Sequence, residues 1–440
     1  GNWSTQNNQA TAQFYRINVD NQWPYHIYAG QQDNTSVKIM SNNPAGWSIG
    51  EREWTYSAGG ESAFLAFDPN NPRWVMGGSY QGTIELLDTD AKEGKGVMVA
   101  PIQYQALMPK DMKYRFNWNA PIIYSMHEAN TFYHAGNVLF KTSDGGKTWA
   151  AVSPDLTRND KSKQGMSGTP FTNEGAGGEN YGTIAYVTES KHEKGVMYTG
   201  SDDGFVQLTK DGGINWKNVT PANLEECLIN SIEVSPHDKA TVYIAATTFK
   251  FNSKQPILYK SNDYGTTWTK IVNGIPDGAY TRVIREDDTR KGLLFAGTET
   301  GLYVSWNDGA NWQQLQLGLP VTPVTDLRIH QNNLIAATMG RSFWVLDDLH
   351  MLRQYKGRES ANGFAIYKPN DVIRTSSGSM LDGEYDPAAK EIGAATLSAG
   401  VNAASGVVVY YQLSEDVADS ATLYLDVIDD IGKVVRTYSS

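Results

Sequence analysis

The chain has 440 residues, with 48 Asp and Glu against 37 Lys and Arg, a formal net charge of −11. That balance repels a nucleic-acid backbone, and no Lys/Arg stripe offsets it. One cysteine, Cys227, excludes an intramolecular disulfide and reads as a buried small hydrophobe, and no run of about 20 apolar residues is present to span a membrane as a helix.

Aromatic residues make up 11% of the chain and glycine numbers 42, a mixture suited to short strands and tight turns. The chain begins at Gly1, without Met, and ends at Ser440 just after a strand-like run. Both ends are expected to be cut from a longer precursor, so the missing secretion signal says little about compartment.

Seven strand-rich modules follow in order, near 12–50, 55–105, 115–155, 180–220, 228–272, 280–315 and 322–350. Most share a strand, a polar turn and a second strand. Ala66-Phe67-Asp68-Pro69 precedes Arg73–Gly78, Ser125-Met126-His127 precedes Thr131–Gly136, Glu189–His192 precedes Val196–Gly200, Val234–Asp238 precedes Thr241–Ala245, and Arg285–Asp288 precedes Leu293–Gly297. Four modules also carry a second turn: Ser143–Trp149, Lys210–Trp216, Asn262–Trp268 and Trp306–Trp312. Each reads as a hairpin. A carboxylate (Asp144, Asp211, Asp263 and Asp308) accepts backbone N–H groups, glycine supplies a positive φ, and a tryptophan (Trp149, Trp216, Trp268 and Trp312) fills the space beside it. The tryptophans stand 67, 52 and 44 residues apart. The last two intervals match a four-stranded blade of about 40–50 residues, and the first carries an insertion. The fold class is therefore all-β, a seven-bladed β-propeller over 1–355, closed so that no sheet edge is left open.

After Asp347-Asp348 a short helix is expected, then a linker over 356–394, its 379–394 part a loop. Strand patterning returns in 395–440, at Val407–Leu413, Ala421–Val427 and Asp429–Arg436. This is too little for a whole sandwich. The reading is a partial β-sandwich, completed by another chain or a missing segment.

The Asp–Gly–Trp turns resemble the Asp-box, or BNR repeat, of sialidases, sortilin-like receptors and xyloglucanase-like hydrolases. Across 1–355 the chain resembles more closely the C-terminal half of large bacterial β-propeller proteins common in Bacteroidota, labelled glycosyl hydrolase, BNR-repeat or sortilin-like. The stretches that carry this are Pro24–Asn34, Tyr114–Ile122, Ser153–Asp160, Gly200–Gly204, Gly297–Gly301 and Gly340–Asp348. The resemblance implies export to the periplasm, the outer cell surface or the medium. It also implies a preceding propeller in the same precursor, or another subunit, as partner. The four turn aspartates are then structural, on the outer rim.

Chemistry is expected where loops converge at a channel mouth. Gln31, Gln32 and Asp33 follow one strand; Arg115, Trp118 and Asn119 come from another module, Glu179 from the insertion, Arg285 and Glu286 from a later module, and Arg341 from the last. Asp33 with Glu179 or Glu286 could form the carboxylate pair of a glycosidase. Gln31, Gln32, Arg115, Trp118, Asn119, Arg285 and Arg341 would line a ligand site. The alternative gives the arginines and acids the duty of holding blades together. The seven histidines are scattered without metal-ligand spacing, although His127 and His134 flank one hairpin and could approach each other. No cofactor is expected; Asp202-Asp203 and the acids of 426–430 could at most offer oxygen ligands to Ca²⁺. Two functions remain open: a non-catalytic propeller module that binds protein or glycan within a larger exported protein, which is favoured, and a glycoside hydrolase.

Overall fold

Antiparallel four-stranded meanders dominate the computed structural model, which describes residues 11–44, 48–100, 106–173, 175, 177–357, 364–372, 400–404, 406–413, 418 and 421–439. Six sheets have four strands in sequence order and a seventh has three among the described residues. Together they are the seven blades of an all-β propeller. The innermost strands are Phe14–Val19, Leu65–Asp68, Ile122–Tyr124, Ile184–Glu189, Leu228–Val234, Thr281–Glu286 and Val324–His330.

The core lies between blades. Tyr198, Val206 and Leu208 of the fourth blade pack on Ile229, Ile232 and Ile244 of the fifth. Second strands such as Met197–Ser201, Val242–Thr247 and Leu294–Thr298 are buried along their whole length, because each has a sheet on both faces. Gly77 shows how close the layers come: a Cβ there would stand 2.2 Å from the Ala58 carbonyl oxygen. The ring closes through side chains and a short backbone bridge, Gln13 to Met339 with the Gly340 amide donating to the Ala12 carbonyl at 2.9 Å, and not through a shared sheet. Phe14 stacks on Phe343 at 3.7 Å, and the Thr325 hydroxyl and Arg328 Nε donate to the carbonyls of Phe14 and Ile17.

The four tryptophan turns have one geometry. Thr142, Thr209, Ser261 and Ser305 accept from the amides of Gly146, Gly213, Gly265 and Gly309 at 2.8–3.0 Å. Asp144, Asp211 and Asp263 accept from the backbone of Thr148, Asn215 and Thr267. Hydrogen bonds from Thr148 and Thr267 hold Asp144 and Asp263 at about 2, so both stay ionised. Each indole N–H reaches the preceding blade, at the carbonyls of Val97, Val152, Val219 and Ile271, one residue past its outermost strand. The fourth turn corrects the sequence reading. Asn307, not Asp308, accepts from the Asn311 amide at 2.9 Å, while Asp308 takes the positive-φ position that Gly145, Gly212 and Tyr264 hold elsewhere.

The described residues divide into two units, those within 1–347 and 377–403 and those within 348–376 and 404–440. Within the first, Gly400–Val401 pairs with Ser48–Ile49 of the first blade, and Asn43 and Asn402 exchange amide bonds at 2.9 and 3.0 Å. The second holds the short helix His350–Gln354, a strand pair Phe364–Ile366 with Tyr411–Leu413, and the hairpin Tyr424–Ile428 with Val434–Ser439, a sandwich-like extension. Of the linker and loop read from sequence, 358–363 and 373–394 lie outside the described residues.

Candidate functional site

All seven inner strands run the same way, so their first residues gather on one face of the ring and their last on the other. Each face opens on a cavity at the hub. The entry-face cavity is about 480 Å³ and the exit-face cavity about 580 Å³. Arg16 lines both.

Entry-face walls are aromatic. Trp118 stacks on Tyr80 at 5.5 Å and 9°, and its indole N–H donates to the Tyr15 hydroxyl at 3.2 Å. Tyr15 in turn donates to the Gln32 side chain. The same cleft is lined by Phe171 and Tyr181 from the long connection between blades three and four, with Phe249 and Phe251 from a single 3-10 turn. Phe171 meets Tyr181 and Phe251 edge-on at 5.5 and 5.2 Å, and Phe249 stacks on Tyr280. The connection is pinned by Arg115, whose guanidinium reaches Gly182 O at 3.0 Å and Asp155 at 2.7 Å, and by Lys163 on Glu226. The amides of Gln13, Gln32, Asn117, Asn119, Asn180 and Asn230 line the cleft as well.

Charge in this cleft is mixed. Asp202 accepts from the amides of Gly182 and Thr183 at 3.0 and 2.8 Å and from the Thr183 hydroxyl at 2.7 Å. Burial, reinforced by neighbouring Asp203, raises its carboxyl well above the usual carboxylate range. Glu179, Lys250 and Arg282 complete the lining, and Arg282 is paired with Glu299 at 2.6 Å.

Of the residues expected from sequence, Gln32, Trp118, Asn119 and Glu179 line the entry cleft. Asp33 stands beside it in a positive-φ turn, its amide donating to Glu61. Gln31 ends its strand and lines neither cavity; Arg341 also lines neither, is exposed, and bonds the Gly340 carbonyl. Arg115 is buried under the cleft as a strut. Glu286 and Arg285 do not join Asp33 and Glu179, because they end an inner strand and so belong to the exit side. Arg285 is committed at the hub, to Asp326 at 2.7 Å, the Tyr186 hydroxyl at 3.0 Å and the Leu327 carbonyl at 2.9 Å. Arg16, Tyr15, Phe171, Phe249 and Phe251 escaped the sequence reading. Their signals were present: an arginine inside the apolar run Phe14–Ile17, and two phenylalanines in a turn between strands.

The exit face carries a ladder. His127 Nε2 bonds the Ser190 carbonyl at 2.7 Å, His192 that of Ser235 at 2.9 Å, and His237 that of Asp287 at 2.7 Å. Each imidazole thus clasps the same turn of the next blade, so these histidines are equivalents, not strays. Among the described residues no three His, Cys, Asp or Glu side chains form a metal-sized cluster. Burial pushes the Cys227 thiol up to about 12, away from nucleophilic use. No helix among the described residues is long and apolar enough to cross a membrane.

No family model matches the chain, and no curated protein matches it. Solved structures do. The GH74 xyloglucanase from Xanthomonas campestris is 14% identical with a TM-score of 0.53, over 78% of this chain and 52% of that one. A GH74 enzyme from Niastella koreensis is 15% identical with a TM-score of 0.51, over 79% and 53%. YCF48 from Cyanidioschyzon merolae is 12% identical with a TM-score of 0.51, over 77% and 96%. The chain spans about half the length of the two GH74 enzymes. At these identities the likeness is one of fold.

Proposed function

We propose that the chain is a propeller module of a larger exported protein and that its entry cleft binds a saccharide. The observation that carries this is the gathering of Trp118, with Tyr80 stacked on it, and of Phe171, Phe249 and Phe251 around one cavity that is also lined by side-chain amides. Flat apolar sugar faces stack on such rings, and amides both donate and accept toward hydroxyls. The test is an array of plant, algal and bacterial glycans probed with the whole chain, followed by calorimetry. Trp118→Ala should weaken the selected glycan at least about tenfold, as loss of a stacked ring does. Binding indifferent to that change would remove the entry cleft from consideration.

One observation favours a second reading, glycoside hydrolysis. Asp202 has the raised carboxyl of a general acid, and Glu179 lines the same cleft. Product accumulating with the wild-type chain, and lost in a folded Asp202→Asn variant, would replace binding by catalysis.

A further inference from the structure

Arg16 stands between the two hub cavities and lines both; its bond to Asn230, part of the entry-cleft lining, ties it to that side, and it carries more charge than its neighbours offset. Its side chain is more than nine-tenths buried. Nη2 donates to Asn230 at 3.1 Å, while Nη1 is buried and has no partner among the described residues. The Phe64 and Tyr186 rings flank the guanidinium at 5.5 and 5.4 Å, fixing it without neutralising it. Asp326, the carboxylate that acts on it most strongly, is spent elsewhere. One of its oxygens accepts from Arg285 at 2.7 Å and Leu327 N at 2.9 Å, the other from Ile17 N at 3.0 Å. Burial accordingly outweighs Asp326 and pulls Arg16 below its ordinary pKa, although a guanidinium remains charged. A buried, charged donor left open is costly and points to a missing acceptor.

The rim repeats the sign. Lys250 is exposed, makes no ion pair among the described residues, and holds its amine 5.1 Å from the Phe171 ring. Against these stand Glu179 and Asp202 of the lining and Asp33 and Glu61 beside it; burial favours the neutral form of Asp202, and Glu61 is held by the Gln32 side chain and the Asp33 amide.

Building on the saccharide reading, we infer that the entry cleft selects an acidic saccharide, whose carboxylate or sulfate ester pairs with Arg16 at the hub while Lys250 attracts it at the rim. A charge-assisted bond to a dry guanidinium discriminates far more than a surface lysine does.

Four probes test this by calorimetry on the whole chain: tetragalacturonate, its fully methyl-esterified form, a sulfated carrageenan tetrasaccharide, and cellotetraose. At least one acidic probe should bind at least about tenfold more tightly than the ester and cellotetraose, and whichever it is identifies the acid. Arg16→Gln, which keeps a donor toward Asn230, should erase that preference. Lys250→Gln, at an exposed position, should reduce it about threefold and slow association, and it carries the test alone if the Arg16 variant does not fold. Equal binding of ester, cellotetraose and acidic probes, unmoved by Lys250→Gln and by a folded Arg16→Gln, overturns the inference and leaves the saccharide reading standing. Failure of all four probes overturns the inference, and the glycan array then decides the saccharide reading itself.

Discussion

The Tyr243 hydroxyl, buried in the fifth blade, donates to the Asp308 carboxylate on the outer turn of the sixth at 2.8 Å. Lys260 of the fifth blade takes the other carboxylate oxygen. Asp308 has left its expected turn-capping role to Asn307 and become a clasp between blades. Asp308→Ala should strand the Tyr243 hydroxyl and lower the unfolding free energy by about 2 kcal/mol. Asp211→Ala, which loses only local turn bonds, should cost less. Urea midpoints of both variants, with Tyr243→Phe added to the first, decide it. Equal losses would mean that the clasp contributes nothing.

The exit-face histidines predict a graded loss. Each donates one bond to the carbonyl of the next blade, so His192→Ala should cost about 1 kcal/mol. His127 and His237 clasp different blade pairs and share no partner, so their double variant should lose the sum of the two. Denaturant unfolding of the single and double variants measures this, and a double loss well below the sum would show that the clasps are not independent.

His134 gives the fold an acid-side weakness. Its ring is fully buried, Nδ1 donates to the Pro121 carbonyl at 2.9 Å, and Nε2 has no partner among the described residues. Burial lowers its pKa to about 4, against an ordinary value of 6.5. The unfolded chain therefore binds a proton that the folded chain refuses between those values. The stabilising contribution is complete above pH 6.5 and is lost as pH falls toward 4, amounting to about 3 kcal/mol. His134→Asn keeps a donor for Pro121 and does not titrate. Its urea midpoint should fall less than that of the wild type between pH 7 and pH 4.5, and parallel curves would reject the assignment.

Gly178 leaves room for the cleft. A Cβ there would come within 2.9 Å of the Trp118 ring. The obstacle is a side chain, so Gly178→Ala should displace the indole and leave the blades intact. Glycan affinity should fall about tenfold, with the melting temperature shifted by only a few degrees. Unchanged affinity would detach Trp118 from the ligand.

The tryptophan turns were legible because their chemistry is local: an acceptor, a positive-φ residue and an indole within seven positions. The same locality misled at Asp308, where Asn307 and Asp308 both suit a turn and only the donors around them, the Asn311 amide for one and the Tyr243 hydroxyl and Lys260 for the other, separate the two roles. Glu286 was grouped with Asp33 and Glu179 by composition. Which face it reaches depends on the direction of its strand in the ring. The histidine ladder was half visible as Ser-x-His in three modules, but its acceptors lie 43 to 63 residues further along the chain.

By itself, the sequence determined the all-β repeat, the seven modules and the positions of the outer turns, since strand alternation and turn residues act over a few neighbouring positions. Only the tertiary structure decided which loops share a mouth, that Arg285 is saturated while Arg16 is not, and that Asp202 stands half-buried beside the buried Asp203. Those outcomes depend on distances and desolvation summed over side chains from several blades, and short-range pattern carries no record of them.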